Sequence, residues 1–186
     1  MIDLKTERLE IKNFVIDNWI DLQEIFVDFM SSEYAIYDFQ MPTSDIGVKE
    51  RTDWYIKNKF FAVYELNNNK VIGYVCFNGE NYKELDLGYC FNSLYQGKGY
   101  ATEACIAIIN YAFNILQVER VTGSTANLNY PSCRVLNRLG FSKTGECINS
   151  FRKTIEGNPI EFTGSSFLLE KDEWMKKDYS FIMTEL

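Results

Sequence analysis

The chain has 186 residues, 46% of them hydrophobic, 24% charged and 16% aromatic, and carries a net charge of −7 from 19 Lys and Arg against 26 Asp and Glu. That length suits one domain with a sizeable core, and an acidic balance without a basic run argues against general nucleic-acid binding. There is no histidine, which removes every Ser-His or Cys-His mechanism and the commonest metal ligand. Cys76, Cys90, Cys105, Cys133 and Cys147 stand singly. Neither a disulfide framework nor a zinc site is expected of them, and they read as small buried hydrophobes of a reducing cytoplasm. The opening "MIDLKTERLEIK" is too charged for a signal peptide, and no apolar run approaches the length of a membrane span.

In chain order, "ERLEIKNF" alternates Leu9 and Ile11 with charged residues, which predicts a first strand. Trp19, Leu22, Phe26, Phe29 and Met30 recur at helical spacing over 16–31. "TSD" signals a second helix over about 44–59. "FFAVYEL", the turn "NNNK" and "VIGYVCF" predict a hairpin, and "ELDLGYCF" a further strand. After "LYQGKGYATEA", Ala101, Ala104, Cys105, Ile108, Ala112, Ile115 and Leu116 mark one face of a long helix. "RVTGST" is a short strand, and "YPSCRVLNRLG" a helix with Pro131 near its start and Gly140 as its C-cap. "FSKTGECINSFRK", "EGNP" and "IEFTGSSFLLE" predict a closing hairpin. The order β-α-α-β-β-β-α-β-α-β-β is α/β with a mixed sheet, read as one domain over 1–186.

The segment "QGKGYA" places glycines immediately before a helix. Glycine permits close backbone approach, and a helix N-terminus offers unpaired N–H groups and partial positive charge, a combination suited to phosphate. The dinucleotide fingerprint is absent, because Thr102 stands where its third glycine belongs, and no Walker sequence follows. By itself the segment could equally be a flexible strand-to-helix turn.

Taken with "NYPSCRVLNRLGF" some thirty residues on, the loop resembles the acyl-CoA signature of the GNAT N-acetyltransferases. That signature is Arg or Gln, two variable residues, Gly, one variable residue, then Gly or Ala. It stands here as Gln96, Gly97, Lys98, Gly99, Tyr100 and Ala101. "KTERLEIK", "LGYCFNSLYQGKGYATEA" and the final "IEGNPIEFTGSSFLLEKDEW" resemble the Rim-type branch, the ribosomal-protein alanine and serine acetyltransferases. The resemblance covers about 4–174, and the tail 175–186 lies outside it.

The resemblance implies the GNAT fold: a mixed, mostly antiparallel sheet with a splayed strand pair, flanked by helices. It implies acetyl-CoA as co-substrate, no metal, a cytoplasmic location and direct attack by a primary amine in a ternary complex. The acceptor would be a protein N-terminus or a small amine, with no nucleic-acid or membrane partner. A homodimer through an exposed tail strand stays open. Residues 96–102, through Thr102, inherit the pyrophosphate contacts. The strand before the loop should bulge and splay, so that Tyr89, Cys90 and Phe91 line the pantetheine or acetyl group and a backbone N–H near Cys90 serves the oxyanion. The base would be Asp86, with Glu84 on the same strand face as a second carboxylate; either could instead be structural. Leu136 occupies the position where many GNAT enzymes carry an acidic tyrosine. Ser132 would hydrogen-bond the departing thiolate and Asn129 contact pantetheine, although both could simply cap their helix. Glu103 reads as a complement to the helix dipole rather than a base. Tyr130, Arg134 and Asn137 are further candidates near CoA. Phe29, Tyr34, Tyr37, Phe39 and Phe151 are candidates for the acceptor pocket. A non-catalytic acetyl-CoA sensor and a structural protein with a degenerate loop are the rival readings.

Overall fold

The structure, a computed structural model, describes residues 2–79, 81, 83–177, 179 and 183–185. Among these residues nine strands form one sheet: β1 Asp3–Thr6, β2 Leu9–Asn13, β3 Phe60–Glu65, β4 Lys70–Asn78, β5 Glu84–Phe91, β6 Arg120–Ala126, β7 Ser142–Lys153, β8 Pro159–Glu170 and β9 Met183–Glu185. Their order is β7-β8-β6-β5-β4-β3-β2-β1-β9. Every pairing is antiparallel except β5 with β6. The helices are α1 Trp19–Met30, α2 Asp45–Lys57, α3 Tyr100–Asn114, α4 Tyr130–Leu139 and the single turn α5 Lys171–Trp174.

Period-two alternation in the central strands explains the layering. In β3, Phe61 and Val63 join the cluster around α3, whereas Phe60 and Ala62 join the cluster around α1 and α2. β4 divides Ile72, Val75 and Phe77 from Val71, Tyr74 and Cys76, the alternation slipping by one residue around Gly73, where its pairing with β3 shifts register. Both faces of these strands are therefore covered, which is why they read as continuous apolar runs rather than half-polar ones. α3 is buried almost all round, with Cys105, Ala107, Ile108 and Ile109 fully covered; truncating Ile108 to alanine would cost about 2–5 kcal/mol.

Two details differ from the sequence reading. The predicted first strand is preceded by a second one, and β1 and β2 form a hairpin through Asp3↔Lys12 and Lys5↔Glu10. Ile2 and Leu4 supply the buried side of β1, too short a signal to count alone. At the other end, the tail segment 183–185 pairs with β1 of its own chain.

The caps form where sequence placed them. Ser44 Oγ accepts from the Gly47 amide at the start of α2, and Gly140 ends α4 at φ +90°. Pro131 lies in the first turn of α4. Among the described residues no helix is long and apolar enough to cross a membrane.

Candidate active site

The centre of the site is the place where β5 and β6 part. They pair in parallel only over Glu84↔Arg120, Leu85↔Val121 and Asp86↔Thr122. Beyond that point β5 keeps β4 as its partner to Phe91, while β6 pairs with β8 through Ala126↔Gly164. The pairing of β5 with β4 runs in one register from Asp86 to Phe91, so the expected bulge is absent and divergence of the two strands opens the gap.

Backbone direction in the gap follows from the antiparallel alternation. The Asn92 amide donates to Ile72 O at 3.0 Å, which makes Ile72/Asn92, and therefore Tyr74/Cys90, hydrogen-bonded pairs. Cys90 thus directs its N–H to β4, and Leu87, Tyr89 and Phe91 direct theirs toward the gap. The backbone N–H groups near Cys90 that face the gap are therefore those of Tyr89 and Phe91. The Phe91 carbonyl on the gap side is taken by Gln96 Nε2 at 2.9 Å.

A cavity of about 1000 Å³ opens from the gap toward α1, α2 and the β7–β8 hairpin. Asp86, Tyr89, Cys90, Asn129 and Ser132 line it together with Leu136. The five acceptor-side aromatics Phe29, Tyr34, Tyr37, Phe39 and Phe151 line it too. Phe39 and Phe151 pack at 4.6 Å between centroids, and Phe162 joins Phe151 at 5.6 Å. Arg152 ties the hairpin to the segment before α2 by donating Nε to Asp38 O at 2.9 Å. Asp38 also lines the cavity and takes the Phe39 amide at 2.7 Å.

Asp86 sits in a row across three strands. Asn78 Nδ2 donates to its Oδ2 and Thr122 Oγ1 to its Oδ1, each at 3.3 Å. Burial pushes its carboxyl above the usual carboxylate range, and these two donors offset part of that. Glu84 shares the strand face, but it does not line the cavity and lies 3.7 Å from Arg120 Nε. The two carboxylates have different surroundings.

On the opposite wall, Asn129 caps α4, its Oδ1 accepting from the Ser132 amide at 3.2 Å. Ser132 Oγ does not cap. It lies 2.9 Å from Tyr89 Oη, which is also 3.2 Å from the Ser132 carbonyl. Burial raises the Tyr89 phenol above its ordinary range. The Cys90 thiol is pushed up to about 12, first by burial and then by the charges of Asp38 and Asp28, the reverse of what an attacking thiolate needs.

The glycine loop lies outside the cavity. Gly97 and Gly99 hold φ +75° and +86°, left-handed conformations that admit other residues only with strain. Gly99 is the N-cap of α3, and no side chain caps that helix. Its first amides are thus left for a ligand, and a Cβ at Gly97 would meet nothing within 4 Å. Exposed glycines, uncapped amides and a neighbouring strand gap fit the pyrophosphate and pantetheine of acetyl-CoA.

Residues 8–142 match the acetyltransferase (GNAT) domain family. The chain is a GNAT N-acetyltransferase. The N-acetyltransferase YnaD of Bacillus subtilis is 27% identical over 179 residues, which is 92% of this chain and 98% of that protein. The ribosomal protein uS5 alanine N-acetyltransferase of Escherichia coli is 29% identical over 89 residues, 46% of each chain. A Bacillus anthracis GNAT acetyltransferase structure superposes with a TM-score of 0.80 at 24% identity, covering 92% of this chain and all of that one. A RimL ribosomal alpha-N-protein acetyltransferase solved with coenzyme A gives 0.77 at 17% identity, covering 92% and 99%. These relatives accord with the Rim-type resemblance, and the structural likenesses carry the fold.

Within this acetyltransferase several candidate side chains have other occupations. Phe91 points into the core at 6% exposure, so only its backbone faces the gap. Tyr100 is buried beneath Arg8 and donates its hydroxyl to Glu65 at 2.6 Å. Thr102 Oγ1 accepts from Arg138 at 3.1 Å, and Lys98 Nζ lies over the Tyr95 ring. Glu103 is buried and bound to Thr6 and Arg8. Tyr130, Arg134 and Asn137 do not line the cavity. The Tyr89–Ser132 pair, the Asn78–Asp86–Thr122 row and Asp38 were missed in sequence. None had a local signal, because each depends on register or packing between elements distant in the chain.

Proposed function

We propose that this GNAT enzyme moves the acetyl group of acetyl-CoA to a primary amine by direct attack in a ternary complex. The observation that carries the reading is that one cavity, at the mouth of a strand gap, is lined by both a half-buried carboxylate, Asp86, and a hydroxyl pair, Tyr89–Ser132. Asp86 accepts the proton that an ammonium must lose before its nitrogen can attack. The Tyr89 N–H, turned toward the gap, donates to the carbonyl oxygen as negative charge develops there. Residues 96–102 hold the pyrophosphate, and the gap aligns the thioester with the amine, which supplies rate by proximity. The bound co-substrate brings the activated acetyl group. Asn129 contacts pantetheine through the amide nitrogen that its cap leaves free.

The acceptor enters through the aromatic half of the cavity and is a protein N-terminus or a small amine. Relatives named as ribosomal-protein alanine acetyltransferases support the first, and the enclosed aromatic wall with Asp38 supports the second. The test is a panel of N-terminal peptides and small amines, followed by thiol release. Turnover with at least one, lost in Asp86→Asn, supports the reading. Binding of acetyl-CoA without turnover on any amine would instead favour the sensor reading, for which Leu136 in place of a hydroxyl is the specific observation.

A further inference from the structure

The Tyr89–Ser132 contact joins β5 to α4 across 43 residues at 2.9 Å, on the wall of the cavity. Its protons can be arranged in two ways. If the phenol donates to the Ser132 carbonyl, 3.2 Å away, the Ser132 hydroxyl proton is drawn back onto Tyr89 Oη. If the phenol donates to Ser132 Oγ, the Ser132 proton turns outward and is free to meet a ligand in the gap. Two features favour the second arrangement when a ligand is present, and the phenol stays a donor in either. The Ser132 amide is already capped by Asn129, so Oγ has no capping duty. The Ser132 carbonyl stands at the start of α4, where the helix supplies it with its own N–H donor. Burial keeps the phenol protonated, so it remains a donor through the neutral range. Leu136, one turn further along the same face of α4, contributes no hydroxyl.

We propose that Tyr89 is a positioning residue that acts through Ser132. Its phenol orients and polarises the Ser132 hydroxyl toward the leaving sulfur. This inference rests on the acetyl-transfer reading above. In the transfer, a bond forms between the amine nitrogen and the acetyl carbon. The carbon–sulfur bond breaks with its electron pair on sulfur. The nitrogen loses two protons, one from the ammonium through Asp86 before attack and one from the tetrahedral adduct to solvent; the sulfur gains one from water as it departs, so one proton is released overall. No oxidant or reductant takes part. A serine alcohol is a weaker acid than a thiol, so Ser132 does not give its proton away. It donates a hydrogen bond, made stronger because Tyr89 donates to its oxygen in turn.

The first experiment reads the hydrogen bond without turnover. The thiol of coenzyme A is titrated by thiolate absorbance while bound to the wild type, Tyr89→Phe and Ser132→Ala. The bound thiol should be roughly tenfold more acidic on the wild type than on either variant. The second reads single-turnover acetyl transfer. Tyr89→Phe should slow it about tenfold with an unchanged acetyl-CoA dissociation constant, and the double variant should be no slower than Ser132→Ala. Ser132→Thr, which keeps the hydroxyl, should retain both properties, and adding Tyr89→Phe to it should repeat the tenfold loss. An unchanged thiol titration, an additive loss in the double variant, or weaker binding at an unchanged rate would each overturn the proposal. A wild type that binds coenzyme A yet acetylates no amine would sink the functional reading instead, and the titration would still decide the hydrogen bond.

Discussion

Arg8 closes on Glu103 across 95 residues, its Nε 2.7 Å and its Nη2 2.5 Å from the same carboxylate oxygen, Oε2. The other oxygen accepts from Thr6 Oγ1 at 2.6 Å and from the Arg8 amide at 3.1 Å. Arg8 also donates Nη1 to the Lys98 carbonyl at 2.9 Å and covers the Tyr100 ring at 4.6 Å. The "TER" turn of the first hairpin is thus bolted to the first turn of α3 and to the glycine loop before it. The ion pair fixes the shape of the glycine loop proposed to hold CoA.

Glu103→Ala takes the shorter acceptor from the buried Thr6 hydroxyl, which keeps Leu9 O at 3.3 Å, and unpairs Arg8. Removing one partner of a buried pair costs about 3–5 kcal/mol. The Arg8 side chain is 41% exposed, so the lower end applies. Near 3 kcal/mol, thermal unfolding should shift down by roughly 6–12 °C for a chain of this size. Arg8→Met leaves the buried Glu103 carboxylate without its counter-charge, so it should cost at least as much stability, and it should also weaken acetyl-CoA about tenfold, because the Lys98 carbonyl loses its anchor. Calorimetric titration separates the two effects.

Saturating acetyl-CoA, at about 100 times its dissociation constant, should add about 2.7 kcal/mol. That corresponds to a rise of roughly 5–11 °C in the unfolding midpoint. Gly99→Glu should abolish the rise, since it puts a side chain and a negative charge at a φ of +86° beside the pyrophosphate. Gly97→Ala meets no neighbour and should cost only about 1 kcal/mol of backbone strain. An intact shift in Gly99→Glu would remove the loop from the CoA site.

As the proposed base, Asp86 should set the acid side of the pH profile. Its carboxyl is held above the usual range, so kcat/KM should rise with pH at a point higher than an ordinary aspartate would give. Asp86→Asn should remove that step and lower the rate about 100-fold or more. Stability has the opposite sign. A raised carboxyl means the native state binds more protons than the unfolded one, so its contribution is present at low pH and lost as pH rises through the raised value. Asp86→Asn should therefore unfold at a higher temperature than the wild type at neutral pH, with the gain fading below the ordinary carboxylate range. An asparagine variant that is both less stable and fully active would refute the assignment.

Cys90 faces the cavity with a thiol pushed up to about 12. A covalent acetyl-cysteine would need the thiolate. Cys90→Ala should keep the transfer rate within about threefold, and intact-protein mass spectrometry after acetyl-CoA alone should find no acetylated enzyme. A large loss together with a trapped adduct would replace direct attack by a two-step route.

Helix starts, glycine positions and strand alternation are local properties, carried by a few neighbouring residues. Ser44, Pro131, Gly140 and the Gln96–Ala101 signature could therefore be read from the chain, as could the family and nearly every element from β2 to β8. The short β1 escaped because two apolar residues make a weak period. Glu103 looked like a dipole complement because nothing nearby in sequence names its partner.

What sequence by itself determined is the kind of fold, the family and the glycine-rich start of α3. The elements rest on propensity, capping and local spacing, and the family on several motifs read together along the chain. What only the tertiary structure decided is which groups meet: Arg8 with Glu103, Tyr89 with Ser132, and Asp86 between Asn78 and Thr122. These contacts depend on strand register and on where β6 leaves β5. One-residue shifts there send side chains to the opposite face and backbone amides to the opposite edge. That is why Glu84 and Asp86, two residues apart on one strand face, end in different surroundings, one beside Arg120 and one at the cavity.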